Sequence, residues 1–186
     1  MIEKQEFMDV YDENKNKTGK IINRKDRDKL NENEFVICVH CWIINSKKEI
    51  LLTQRSMNVN RGGKWEDTHG GLRVGETSID GMIRELNEEL GINVNSNELK
   101  LVKTLKRKNV FRDCYILLKD IMLESIKFND NEVMNCKYVT KNELKEIIES
   151  GESTFSNFSQ TIFEEIDINN IKNWNIYNKG RNNENK

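Results

Sequence analysis

The stretch that most limits how this chain can fold runs from Gly70 to Ile92, GGLRVGETSIDGMIRELNEELGI. Its second half has the marks of a helix that opens near Thr77 and closes at Gly91. Thr77 offers a side-chain cap to the first turn, with Asp80 three residues on to complete a capping box. Ile79, Met82, Ile83, Leu86 and Leu90 recur at helical spacing, so one stripe must lie on a core. Gly91 permits the left-handed residue that ends a helix. Glu85, Glu88 and Glu89 stand beside the stripe, and their i, i+3, i+4 spacing crowds carboxylates from successive turns. Charges so close repel unless protonated, dispersed in water or neutralised by a cation. A hard divalent metal with oxygen ligands is the simplest neutraliser, and Arg84 is placed to hold one carboxylate by a charge-assisted bond.

A triplet of acids on a helix is more often a solvated face than a site. The approach to this helix favours the site. Gly70, Gly71 and Gly75 let backbone come close to a ligand and offer a carbonyl to a metal shell. A glycine loop feeding an acidic helix suits a metal and a phosphorylated substrate.

The same stretch resembles the signature of the Nudix hydrolases, G-x5-E-x7-R-E-U-x-E-E-x-G-U, with U a bulky aliphatic residue. Gly70, Glu76, Arg84, Glu85, Leu86, Glu88, Glu89, Gly91 and Ile92 fill its fixed positions. The resemblance implies a three-layer α/β/α sandwich with a mixed sheet. It also implies hydrolysis of a diphosphate linkage with Mg2+ or Mn2+. Glu85, Glu88 and Glu89 would be the principal metal ligands, with the Gly70 carbonyl beside them. Arg84 would orient the acids, and Glu76 would hold the loop or reach a metal through water. Glu132, just before a late strand, is the outside candidate for a ligand or general base. Arg55, closing the run LLTQR, is a phosphate-contact candidate. Trp65 either packs the loop on the core or stacks on a ligand ring, and Gly71 belongs to the close-approach loop. His69 is a candidate phosphate donor or orienting group. The implied substrates are nucleoside diphosphate derivatives or related organic pyrophosphates.

The start of the chain, FMDVYDENKNKTG, is similar to that of isopentenyl-diphosphate isomerase and its hydrolase cousins. That isomerase carries a catalytic Cys just before the signature glycine and a His just after it. His69 and Gly71 stand at those places here. Isomerisation and a catalytically weak nucleotide-binding or sensing module remain the alternatives. A sensor would be expected to lose one of the acids, and none is missing.

The chain has 186 residues, suited to one domain over about 1–175 and a disordered tail from 176. With 30 basic and 31 acidic residues, net charge selects no partner, and no long basic tract points to nucleic acid. No apolar run reaches transmembrane length, and MIEKQEFMDV lacks the apolar core of a signal peptide, so a cytoplasmic protein is expected. Cys38, His40 and Cys41 fall inside FVICVHCWII, which reads as a strand with Cys41 on the face opposite the other two. Without a second such pair, reduced thiols are expected.

The remaining elements follow from pattern. An N-terminal hairpin precedes RKDRDKLNENE, read as a solvated, charged connection with a short helical turn. Strands are expected over 35–44, 49–53, 99–106, 111–118 and 132–139. A helix over 141–149 has Thr140 and Glu143 as its capping box. A second short helix is expected from Phe155 to Ile166. Its apolar face would pack on the core or on a second subunit in a homodimer.

Overall fold

The computed structural model describes residues 6–129 and 131–155. The chain opens with an antiparallel hairpin, β1 (Phe7–Tyr11) and β2 (Lys17–Asn23). Asp12 holds its turn by accepting from the Asn14 and Asn16 amides at 2.9 and 2.8 Å. The charged connection that follows carries a short helical turn, a 3-10 turn over Arg24–Lys29 that is capped by Asn23 and buries none of its residues. Then come β3 (Val36–Ile44), β4 (Ile50–Arg55), β5 (Trp65–Glu66), β6 (Thr68–Gly71) and α1 (Ser78–Leu90). The described part ends with β7 (Leu99–Arg107), β8 (Val110–Leu118), β9 (Val133–Val139) and α2 (Lys141–Glu149).

Seven strands form one mixed sheet in the order β5-β4-β3-β8-β7, with β6 also on β3 and β9 also on β4. β3 and β8 run parallel, and the other ladders are antiparallel. Parallel neighbours need a long crossover, and here α1 lies within it. Alternation along the strands then makes two cores. Val39, Cys41 and Ile43 of β3, with Tyr115 and Leu117 of β8, meet Met82, Leu86 and Leu90 of α1. Trp42 and Ile44, with Cys114 and Ile116, meet Leu144 and Ile147 of α2. One helix on each face gives the α/β/α layering expected from the sequence.

The stretch from Trp65 to Gly71, without a strand pattern of its own, joins the sheet through its neighbours: Trp65 and Glu66 pair with β4, and Thr68–Gly71 pairs with β3, His40 opposite His69 and Val39 opposite Gly70. Propensity yields there to tertiary pairing. The hairpin is tied to the core through Asp113 on β8, which has no solvent exposure. Its carboxylate accepts from Lys15 Nζ at 2.6 and 2.8 Å, from Thr104 Oγ1 at 2.6 Å and from Ser78 Oγ. Phe155 stacks on Trp42 at 5.2 Å. The rest of the helix read from Phe155 to Ile166, and the tail from 176, lie outside the described residues. Among the described residues, no helix is long and apolar enough to cross a membrane.

Candidate active site

The site is built where β6 passes through Gly70 and Gly71 and returns as α1. Thr77 Oγ1 accepts the Asp80 amide at 3.3 Å, and Gly91 closes the helix at φ 67. Asp80 bonds the Thr77 hydroxyl with its carboxylate. At Gly70 a Cβ would fall 1.9 Å from Glu85 Oε1. Glycine is required there because a carboxylate lies directly against its backbone.

Arg84 is the hub. Its Nε and Nη2 donate to the two oxygens of Glu76 at 2.6 and 2.9 Å, and Nη2 also reaches the Gly71 carbonyl at 3.0 Å. Its Nη1 bonds Glu85 at 2.7 Å and Glu88 at 3.1 Å. Arg73 adds a bidentate pair to Glu88 at 3.0 and 2.9 Å, and its backbone amide donates to Glu76 at 2.8 Å. Arg73 Nε is buried with no hydrogen-bond partner among the described residues. Two guanidiniums thus hold three carboxylates that would otherwise repel.

Burial pushes the Glu85 carboxyl above its ordinary value, against the pull of Arg84. Burial also acts on Glu88, but the bonds and charges of Arg73 and Arg84 outweigh it and hold that carboxyl low. Glu76 is lowered in the same way, burial being overcome by Arg84 and Arg73.

Glu85 and Glu88 open into a cleft of about 680 Å³, lined also by Gly70, His69, Glu6, Glu132 and Arg24. Arg24 Nη1 holds Glu6 at 2.6 Å. Four carboxylates from three parts of the chain therefore face one space. An all-oxygen donor set beside a bare glycine backbone fits a hard divalent cation.

His69 also lines a second cleft, of about 410 Å³, where Arg27, Arg55, Arg61 and Arg112 converge. On the wall of this second cleft, Asp67 fixes both histidines. His40 Nδ1 lies 3.0 Å from Asp67 Oδ2, and His69 Nδ1 lies 2.9 Å from the Asp67 carbonyl. The imidazoles stack at 4.9 Å, with planes 4° apart. Burial lowers His40. In His69 the charges of Glu66 and Asp67 overcome burial and raise it.

The residues singled out from sequence divide between these places. Glu85, Glu88, Gly70 and Glu132 wall the acidic cleft. Glu76 and Arg84 stand behind it and hold Gly71 in place. Glu89, one turn beyond Glu85, is buried and is not among the residues walling either cleft. Arg55 lines the arginine cleft, where its Nη1 holds Glu66 at 2.7 Å. Trp65 lines neither cleft: it packs in the second core under Lys137, whose Nζ lies 4.2 Å from the ring centroid.

Sequence reasoning missed Arg73, Glu6 and the pairing of His40 with Asp67. Arg73 had a signal, a cation three residues before Glu76 in the glycine loop. Glu6 and His40 had none, because only the sheet register brings them to the site.

A mixed sheet between two helices, with a glycine-rich strand turning into an acidic helix, is the Nudix arrangement. Residues 34–158 match the family profile described as a NUDIX domain, and the chain belongs to the Nudix family. An uncharacterised Nudix hydrolase of Listeria monocytogenes is 30% identical over 149 residues, 79% of this chain and 87% of that one. Among solved structures, DR0079 from Deinococcus radiodurans is similar in fold, with a TM-score of 0.72 at 21% identity, over 86% of this chain and 98% of that one. A NUDIX domain from Shewanella oneidensis, complexed with ADP ribose, is similar in fold with a TM-score of 0.50 at 17% identity, over 60% of this chain and 77% of that one.

Proposed function

We propose that this chain hydrolyses a diphosphate linkage in a nucleoside diphosphate derivative or a related organic pyrophosphate, with Mg2+ or Mn2+ bound in the acidic cleft. The observation that carries the reading is Glu85. A carboxylate buried against bare glycine backbone, one turn from Glu88, is an arrangement that a cation relieves. Glu85 and Glu88 are the ligands in this reading, with the Gly70 carbonyl completing the set. Glu89 supports them from the buried side of the helix.

A bound divalent cation would screen the diphosphate charge and lower the pKa of an attacking water. The protein's own part is positional. Arg84 and Arg73 keep Glu85 and Glu88 aimed together, and Glu76 anchors the loop that presents Gly70. Glu132, which lines the same cleft, is the residue this reading assigns to accept a proton from water. The acids interact closely enough to titrate as a set, so the base is a property of the group until variants separate its members.

The N-terminal hairpin resembles the start of the isopentenyl-diphosphate isomerase branch. Here His69 and Gly71 hold the places of that enzyme's Cys and His. The acid cluster favours hydrolysis over isomerisation. A panel of dinucleotides, nucleotide sugars and organic diphosphates, assayed for phosphate or monophosphate release with Mg2+ and with Mn2+, tests the reading. Turnover of at least one, abolished in Glu88→Gln, is expected. Tight nucleotide binding without turnover across the panel would transfer the chain to the sensing modules.

A further inference from the structure

We infer that Arg73 is an exchangeable partner of Glu88: a divalent cation displaces it, and its guanidinium then takes an oxygen of the ligand's diphosphate. The exchange rests on the reading above for what occupies the acidic cleft, and deepens it by naming a residue that links the metal to the phosphate.

The two arginines of the site are held very differently. Arg84 engages all three guanidinium nitrogens, in five bonds to Glu76, Glu85, Glu88 and the Gly71 carbonyl. Its side chain is 15% exposed, and it is not among the residues lining the acidic cleft. Arg73 lines that cleft, with its side chain 28% exposed. Apart from Glu88, its guanidinium hydrogen-bonds only Glu6 among the described residues, at 3.4 Å, and its buried Nε bonds nothing there. A buried donor without a partner is costly, so the pose on Glu88 does not fully satisfy the side chain. The Arg73 backbone amide, donating to Glu76 at 2.8 Å, anchors the loop independently of that pose.

The exchange falls on Glu88. Arg73 Nη1 and Nη2 cover its two oxygens at 3.0 and 2.9 Å, and Arg84 Nη1 adds a bond at 3.1 Å to one of them. A dication on either oxygen would share it with the Arg73 guanidinium, and the two positive charges repel. Arg84 cannot leave without releasing Glu76, Glu85 and the loop, so Arg73 is the one to yield. Arg84 then still aims Glu88. Freed, Arg73 keeps Glu6 within reach and stands in the cleft where the diphosphate lies. A planar guanidinium matches phosphate oxygens two at a time. The two exchanges favour one another: metal on Glu88 releases Arg73 for phosphate, and phosphate on Arg73 releases Glu88 for metal. The rival account makes Arg73 a fixed strut that holds Glu88 in position for the metal, and it predicts the opposite sign.

The test is calorimetry of Mn2+ binding to the metal-free full chain in wild type, Arg73→Gln and Arg73→Lys, each checked for folding by thermal melt. Lysine keeps the charge and loses the two-pronged bond, so it separates exchange from simple repulsion. It also keeps the test open should Arg73→Gln fail to fold. Both variants are expected to bind Mn2+ about threefold or more tightly than wild type. Methylenediphosphonate, a diphosphate analogue that cannot be hydrolysed, is then titrated with Mg2+ in excess. Its binding should weaken about tenfold in Arg73→Gln and less in Arg73→Lys. Weaker Mn2+ binding in the variants would make Arg73 a strut and overturn the exchange. So would a gain in Arg73→Gln alone, which is charge without exchange, or Mn2+ affinity unchanged in both. Diphosphonate binding that is absent in wild type or unchanged in Arg73→Gln would overturn the transfer to phosphate. If both titrations move as expected but no panel substrate is turned over, the hydrolase reading fails and the exchange stands.

Discussion

Asp113, bonded to the start of α1, and Glu85, within α1, are both buried carboxylates, and they are treated in opposite ways. Asp113 receives four hydrogen bonds from Lys15, Ser78 and Thr104 and faces no cleft described here. Glu85 shares one arginine with two other carboxylates, lies against glycine backbone and opens to a cleft. A carboxylate surrounded by donors is finished within the protein. A carboxylate crowded by its own kind, with one side open, is finished by something from outside. The first arrangement joins a hairpin, a helix and two strands. The second leaves charge in reserve for a ligand.

The difference is broken most directly from the Glu85 side. Glu85→Gln and Glu88→Gln keep shape and remove charge. Each is expected to lower kcat about 10³-fold, some 4 kcal/mol of transition-state stabilisation, on whichever panel substrate the wild type turns over. The melting temperature of Glu85→Gln without metal should stay level or rise, since a buried charge is gone. A large drop in melting temperature with kcat intact would make Glu85 a structural residue.

Asp113→Ala sharpens the same contrast from the other side. It strands the Lys15 ammonium and two hydroxyl contacts, and should cost about 3–5 kcal/mol of stability in urea unfolding. The protein that remains folded should keep its kcat. Loss of kcat in proportion to nothing but unfolded fraction fits this view, and loss beyond it would tie the hairpin lock to catalysis.

Gly70→Ala falls between the two. Its methyl group has no room beside the Glu85 carboxylate, so strain of about 1–3 kcal/mol is expected together with weaker Mn2+ binding. Calorimetry with Mn2+ reads the second effect separately from the melt. Unchanged Mn2+ affinity would show that Glu85 moves aside without consequence.

Half of this contrast was legible in the sequence. The helix from Ser78 to Leu90, its Thr77 cap and Gly91 stop, and Glu85, Glu88 and Arg84 all follow from local spacing, which a helix preserves in space. The α2 helix and its Thr140–Glu143 box were legible for the same reason. Asp113 was not, because its partners lie at residues 15, 78 and 104 and meet only after the sheet closes. The arginine cleft was hidden in the same way. Arg24 and Arg27 sit in a run of alternating charge that reads as solvated, and only the folded chain brings them to line the two clefts. Trp65 shows the converse, an aromatic next to the signature whose neighbourhood suggests a ligand while its packing assigns it to the core.

The smallest effect is a difference in sign within the site itself. Glu76 and Glu85 share Arg84, yet their carboxyls move in opposite directions. In Glu76 the bonds and charges of Arg84 and Arg73 outweigh burial and lower it from 4.5, so its stabilisation is present above that value and is lost as pH falls through the lower folded one. In Glu85 burial wins and raises it from 4.5, so its stabilisation is full below that value and is lost as pH rises through the higher folded one. Melting curves without metal should separate the two. Glu76→Gln should melt below wild type at pH 7, by about 1–2 kcal/mol of lost charge-assisted bonding, and the gap should narrow in acid. Glu85→Gln should melt level with or above wild type at pH 7, and that margin should also vanish in acid, from the other side. Two gaps of the same sign at neutral pH would mean that Glu85 is as well satisfied as Glu76, and would remove the reason to expect a cation beside it.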